Sequence, residues 1–167
     1  MQSSMSDLFK KLDISERACA LILGVVFLFV GIAGFIPALM SLPTAAPDVV
    51  VDAPRLSFDD GYGYVLGLFP TNFLHNALHI VVGVLGIAAA TSLGGAIAYN
   101  QGFAVAYVLI VLMGLIPATN TTFGLMPIYG NNIWLNALTA IAAGYMGFVK
   151  PNLVKAQIKS EATSASV

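Results

Sequence analysis

His75 and His79 are the chain's two histidines, and they stand four residues apart in LFPTNFLHNALHIVVG, Leu68 to Gly83. On a helix, positions i and i+4 lie on one face. The pair can therefore offer two ring nitrogens to one partner. That partner would be the metal of chlorophyll or haem, a quinone, a bare metal, or a polar side chain on a neighbouring helix. The start of a helix in an apolar setting favours neutral imidazole, because the dipole is positive there and the dielectric low. Neutral rings are ligands or acceptors. At about 1.5 Å per residue His79 sits roughly 10–12 Å below the start of its helix. That depth is inside hydrocarbon, where ionisable residues are candidates for function.

Further polar side chains gather near the pair. Thr71, Asn72 and Asn76 accompany it, Thr119 to Thr122 follow a later apolar run, and Asn131, Asn132, Trp134 and Asn136 open the last one. Thr71 or Asn72 suits an N-cap, and Asn136 is the expected hydrogen-bond partner of a histidine across a helix interface. Phe58, Tyr62, Tyr64, Phe69, Phe73, Phe123, Tyr129 and Trp134 could line a pocket, although such aromatics also form ordinary interfacial belts. The candidate cluster is His75, Asn76, His79, Asn72, Asn132 and Asn136, either ligand-binding or purely structural.

Residue types argue several chemistries down. From Ala18 to Pro47 and from Gly61 to Val149 there is no Asp, Glu, Lys or Arg. No intramembrane carboxylate or lysine is then present to relay protons or bind a coupling ion. HNALH is not HExxH, since Asn76 stands where a zinc-protease base would be, and no third strong ligand is in view. No metal site and no catalytic residue is assigned. A bis-histidine haem clamped within one chain fails as well, because the internal repeat described below sets Thr139 opposite His79. Phosphate-cradling glycine loops and basic nucleic-acid patches are missing. The sequon at Asn120 lies in a short loop close to the membrane. Cys19 stands alone, so it forms no intrachain disulfide and reads as a packing residue.

The elements that position these residues are read from composition. Of 167 residues, 58% are hydrophobic and 9% charged, against about 25% charged in soluble domains. The fold expected is all-α and integral to a membrane. A crossing helix needs roughly 20 apolar residues, and the charge-free blocks divide at Gly, Pro and Asn clusters into four spans near 18–40, 72–98, 102–118 and 133–149, with a tight turn at Tyr99 to Gly102. Barrel strands are disfavoured because the runs do not alternate. Lys10, Lys11 and Arg17 precede the first span and Lys150, Lys155 and Lys159 follow the last. Both tails, 1–17 and 150–167, are therefore expected in the cytoplasm, and the acidic loop 41–71 outside. The first apolar run exceeds the roughly 7–15 residues of a cleaved signal, so it is read as a retained span.

An internal repeat is visible. GFIPA (Gly34 to Ala38) is echoed by GLIPA (Gly114 to Ala118), GLFP (Gly67 to Pro70) by GLMP (Gly124 to Pro127), and LHNAL (Leu74 to Leu78) by LNAL (Leu135 to Leu138), all in one order. Two tandem helical hairpins related by an axis along the bilayer normal are inferred. Small residues at four-residue spacing, Gly86, Ala90 and Gly94 on the second helix and Asn136, Ala140 and Gly144 on the fourth, mark the faces expected to point inward.

GLFPTNFLHNALHIVVG, followed by GLMPIYGNNIWLNALTA, resembles a family of small four-helix bacterial membrane proteins classed only as a domain of unknown function (the 4383 type), from about Leu21 to Val149. His75, Asn76 and His79 match its HNxxH element directly. Its fourth helix often opens with a GxDxxLH-like pattern, and here Asn132 and Asn136 occupy those places, which favours hydrogen bonding over a shared metal or cofactor role. The resemblance implies an integral membrane location and no particular activity; the membrane expected is a bacterial cytoplasmic one, with a thylakoid membrane the other setting considered. The expectation is a non-enzymatic accessory or scaffold protein in the bilayer, without cofactor, that packs with another membrane protein or with its own copies. The alternative is a chlorophyll, haem or quinone held near His75 and His79.

Overall fold

The computed structural model describes residues 2–41 and 63–164. These are mostly helical: α1 (Gln2–Ala33), α2 (Phe73–Ala89), α3 (Leu93–Leu115), α4 (Asn131–Gly144) and α5 (Lys150–Ser164), with a 3-10 turn at Pro37–Leu39 and a π-helical turn at Tyr145–Val149. Three stretches among the described residues are long and apolar enough to cross a membrane, Met5–Ala33, Leu93–Leu115 and Asn131–Ser164; α2 is a shorter apolar helix. Their outer flanks are apolar, with Ile22 and Phe29, Val108 and Leu112, and Leu138 and Ile141 exposed. Lipid, unlike water, solvates such a surface at no cost.

The helices meet around Leu23, Phe27, Phe103, Tyr107, Ala140 and Ala143. The Phe27 ring centroid lies 5.2 Å from that of Phe103 and 5.0 Å from that of Tyr107, both pairs edge-to-face. Glycine lets α1 and α2 touch backbone to backbone. A Cβ at Gly83 would lie 2.5 Å from the Leu28 nitrogen, and one at Gly24 2.6 Å from that of Ile87. Without a hydrophobic driving force between helices in lipid, such close van der Waals contact is the main source of association.

The structure corrects several sequence expectations. The fold is not purely α: β1 (Met40–Ser41), β2 (Gly63–Val65) and β3 (Phe69–Thr71) form an antiparallel sheet in the order β1-β2-β3, pairing Met40 with Val65 and Gly63 with Thr71. The first helix ends at Ala33 rather than near 40, and the third at Leu115 rather than 118. The turn between α2 and α3 falls after Ala89, not at Tyr99 to Gly102, because Ser92 caps α3 by accepting from the Gly95 amide at 3.1 Å. Asn100 and Gln101, read as turn residues, lie inside α3, where Asn100 bonds Glu16 and Gln101 bonds Gly147. Gly94 consequently belongs to α3, is exposed, and would meet nothing within 4 Å if given a Cβ. Ala90 closes α2 and is half-buried, and of that expected face only Gly86 is a packing contact, against Gly24 and Tyr99. On α4, Asn136 and Ala140 are buried and Gly144 half-buried, where an added Cβ would lie 3.7 Å from the Ala104 methyl.

Both predicted tails are helical, α1 beginning at Gln2 and α5 ending at Ser164. Pro151 survives inside this last helix because the carbonyl it cannot bond four residues back, that of Gly147, accepts from Gln101 Nε2 at 2.8 Å. The π-helical turn sits at this join, as such turns do where a proline disturbs the ladder. The acidic part of the expected external loop, with Phe58 and Tyr62, lies outside the described residues.

Candidate functional site

At one end of the bundle the loops before α2 and α4 are built alike. Leu66 and Gly67 precede α2 with φ of 56° and 68°, and a run of three, Thr122, Phe123 and Gly124, precedes α4 with φ of 48°, 58° and 90°. Left-handed backbone is costly for a non-glycine residue, so something must hold these turns. Asparagine side chains do so crosswise. Asn72 caps α2, its Oδ1 accepting from the His75 amide at 2.9 Å, while its Nδ2 donates to the Leu125 carbonyl of the other loop at 2.7 Å. Asn131 Nδ2 donates to Leu68 at 3.0 Å, and Asn132 Nδ2 to Pro70 at 2.8 Å and Pro127 at 3.0 Å. Each loop is thus tied to the helix that follows the other.

Asn76 completes the clasp. Its Nδ2 donates to the Gly34 carbonyl at 2.9 Å and its Oδ1 accepts from the Thr71 hydroxyl. A Cβ at Gly34 would overlap this amide, so glycine is required where α1 ends. Asn72, Asn76 and Asn132 are all nearly inaccessible, and a buried amide is tolerated only when its hydrogen bonds are made.

The histidines behave differently. His75 and His79 are 4% and 5% exposed, their centroids 4.3 Å apart, and the Nδ1 of each is buried without a partner. Phe27 places its ring 5.0 Å from that of His79 at 77°, and the Pro127 carbonyl lies against His75. Both rings line a cavity of about 20 Å³ together with Tyr107, Thr122, Met126 and Asn136. One water needs roughly 10–15 Å³ measured this way. The space is therefore of the order of one or two water molecules. Asn136 shares the cavity but makes no bond to either Nδ1, which corrects its expected role as the histidine partner.

The structure therefore brings all six candidate polar residues to one end, four asparagines in or beside the clasp and two histidines in a cavity between helices. Of the aromatics, Phe69 lies 5.7 Å from Trp134, and Phe73 faces Phe35 at 5.5 Å, away from the cavity. Phe123 is exposed.

Sequence reasoning missed Met126 and Tyr107 in the cavity, because an apolar run gives no sign of which side chain meets a distant helix. It also missed a second polar cluster at the opposite end. Glu16, assigned to a tail, is fully buried, and Asn100 Nδ2 donates to its carbonyl and to its Oε2, each at 3.2 Å. Arg17 Nε donates to the Ala90 carbonyl at 2.8 Å, and Lys150 donates to the Ser15 hydroxyl. The one signal available was Asn100 itself, a carboxamide in an otherwise apolar run.

Long apolar helices around a clasped polar end define a helical bundle of membrane-spanning proportions. Residues 17–149 match the model of the family described as Domain of unknown function (DUF4383), and the chain belongs to that family. No curated protein and no solved structure matches it.

Proposed function

We propose that this chain is a four-span, non-enzymatic accessory protein of a bacterial cytoplasmic membrane, with both termini inside, that packs against another membrane protein or its own copies. The observation that carries this reading is the clasp. The amides at the polar end are engaged in holding helix starts and loop carbonyls of the same chain, an arrangement suited to rigidity rather than to turnover. α2, with 17 residues, extends about 26 Å at about 1.5 Å per residue. That length, laid along α1 across the Gly83 contact, supports it as the fourth span.

The tandem repeat belongs to the same proposal. Left-handed backbone at Leu66–Gly67 and at Thr122–Gly124, and the reciprocal bonds of Asn72 and Asn132, support it. Two-hairpin symmetry about an axis along the normal sets both helix starts, and the clasp, on one face, and the basic residues flanking the spans support the outer one.

Crosslinking in membranes followed by native purification should recover one defined partner or a homo-oligomer. A solitary monomer in every gentle detergent would sink the accessory role. Reporter fusions at Met1, Asp59 and Val167 should read inside, outside and inside; an external Val167 would overturn the four-span topology.

A further inference from the structure

We propose that the loops before α2 and α4 are seated in the bilayer itself, at the boundary of headgroups and acyl chains in the leaflet at the clasped end, and do not stand in water. Their tips are apolar. Leu66 and Leu68 in one loop and Phe123 and Leu125 in the other are exposed, Phe123 to 75%. Leu66 and Phe123 also hold left-handed backbone, a conformation in which glycine or asparagine is usual. Apolar side chains turned outward there are poorly solvated by water and well solvated by lipid.

The backbone meets the condition that lipid sets, namely that N–H and C=O groups find partners within the chain. The amides of Leu66, Gly67 and Leu68 donate to the carbonyls of Leu39, Tyr64 and Val65. Those of Gly124 and Met126 donate to Thr121, and that of Leu125 to Thr122. The carbonyls of Leu68, Pro70, Leu125 and Pro127 accept from asparagine side chains. A loop in water could leave all of these groups to solvent. The clasp is what lets irregular backbone enter the interface.

Length sets the depth. At the opposite end of α2 the Arg17 guanidinium donates to the Ala90 carbonyl, which holds a charge at that boundary of the hydrocarbon. The 17 residues of α2 rise about 26 Å from there at about 1.5 Å per residue, whereas the hydrocarbon is about 30 Å thick. The start of α2 therefore stops short of the far boundary, and the loop before it falls within the interface. No Asp, Glu, Lys or Arg between Gly61 and Val149 opposes this. Trp134, exposed in the first turn of α4 and bonded to Asn131, is a residue type that favours the interface, and Asn131 itself reaches Leu68. The depth rests on the reading of α2 as a span; the apolar tips and the paired backbone do not.

Trp134 is the chain's one tryptophan, so Trp134→Phe supplies a background for single reporters. In that background Phe123→Trp and Leu68→Trp probe one loop each, and Val105→Trp the exposed middle of α3. Each full-length variant, shown to be folded by its melting curve, is reconstituted in phosphatidylcholine vesicles. Lipid brominated near the headgroup should quench both loop reporters more than lipid brominated near the chain ends, with the reverse order for Val105→Trp. Aqueous acrylamide should quench the loop reporters about threefold less than free tryptophan. A loop reporter that acrylamide quenches as fully as free tryptophan, and brominated lipid does not, would overturn the proposal. So would one that neither quencher reaches, since a second copy would then cover the tip. Either failure with Val105→Trp still quenched by lipid sinks this proposal alone, whereas a Val105→Trp untouched by lipid sinks the span reading and the depth with it.

Discussion

The starts of α2 and α4 share several features and differ both in their caps, Asn72 by its side chain against Gly130 without one, and in what they do with their second turn. Both follow left-handed backbone and a proline, two residues before the α2 cap and three before the α4 cap, and both use an asparagine to reach the opposite loop. Beyond that point α4 continues with Leu135 and Thr139, the hydroxyl turned back on its own helix, while α2 carries two imidazoles whose Nδ1 atoms bond nothing in the chain. The clasp is the shared structural device, and the histidines are an addition to it. A polar group retained in a bundle without a partner calls for an explanation outside the fold.

The comparison can be broken most severely at the helix seams. Gly83→Ala puts a Cβ 2.5 Å from the Leu28 backbone, whereas Gly144→Ala meets the Ala104 methyl at 3.7 Å. Overpacking against backbone should cost about 3 kcal/mol or more. Gly83→Ala is therefore expected to yield little folded protein, and Gly144→Ala a melting temperature equal to or above the unaltered chain. Equal behaviour of the two would show that the first hairpin is not the tighter one.

Next in size is the clasp. Asn132→Ala strands the Pro70 and Pro127 carbonyls, and Asn72→Ala removes a helix cap together with the Leu125 bond. Each should lower unfolding stability in detergent by about 2–4 kcal/mol. If one were silent, the crosswise tie would be one-sided and the reciprocal reading wrong.

Smaller still is the histidine pair. Replacing it with the residues at the matching positions of α4, His75→Leu/His79→Thr, removes two unpartnered nitrogens and should change stability by less than about 1 kcal/mol. A large loss in chemical denaturation would mean that the imidazoles are structural after all. Smallest of all, Gly94→Ala should be neutral or stabilising by up to about 1 kcal/mol, since nothing lies within 4 Å of the new methyl. Loss of stability there would restore Gly94 to a packing face.

Sequence alone determined the features that follow from local composition. The long charge-free runs require helices that lipid can solvate, and the HNxxH spacing put two imidazoles on one helical face. The small sheet was hidden because its strands are two or three residues long and carry no period. The α2–α3 turn was misplaced because Asn100 looks like a loop residue until its partner, Glu16, 84 positions earlier, is known. Only the tertiary structure decided which polar groups were satisfied. Asn72, Asn76 and Asn132 found carbonyls on distant loops, and Asn136 did not meet the histidines. Met126, unremarkable in the chain, was carried to the rings by the turn that precedes α4. Hydrophobic pattern fixes what enters the bundle, but hydrogen-bond satisfaction is a property of pairs, and the pairs here are 42 to 84 residues apart.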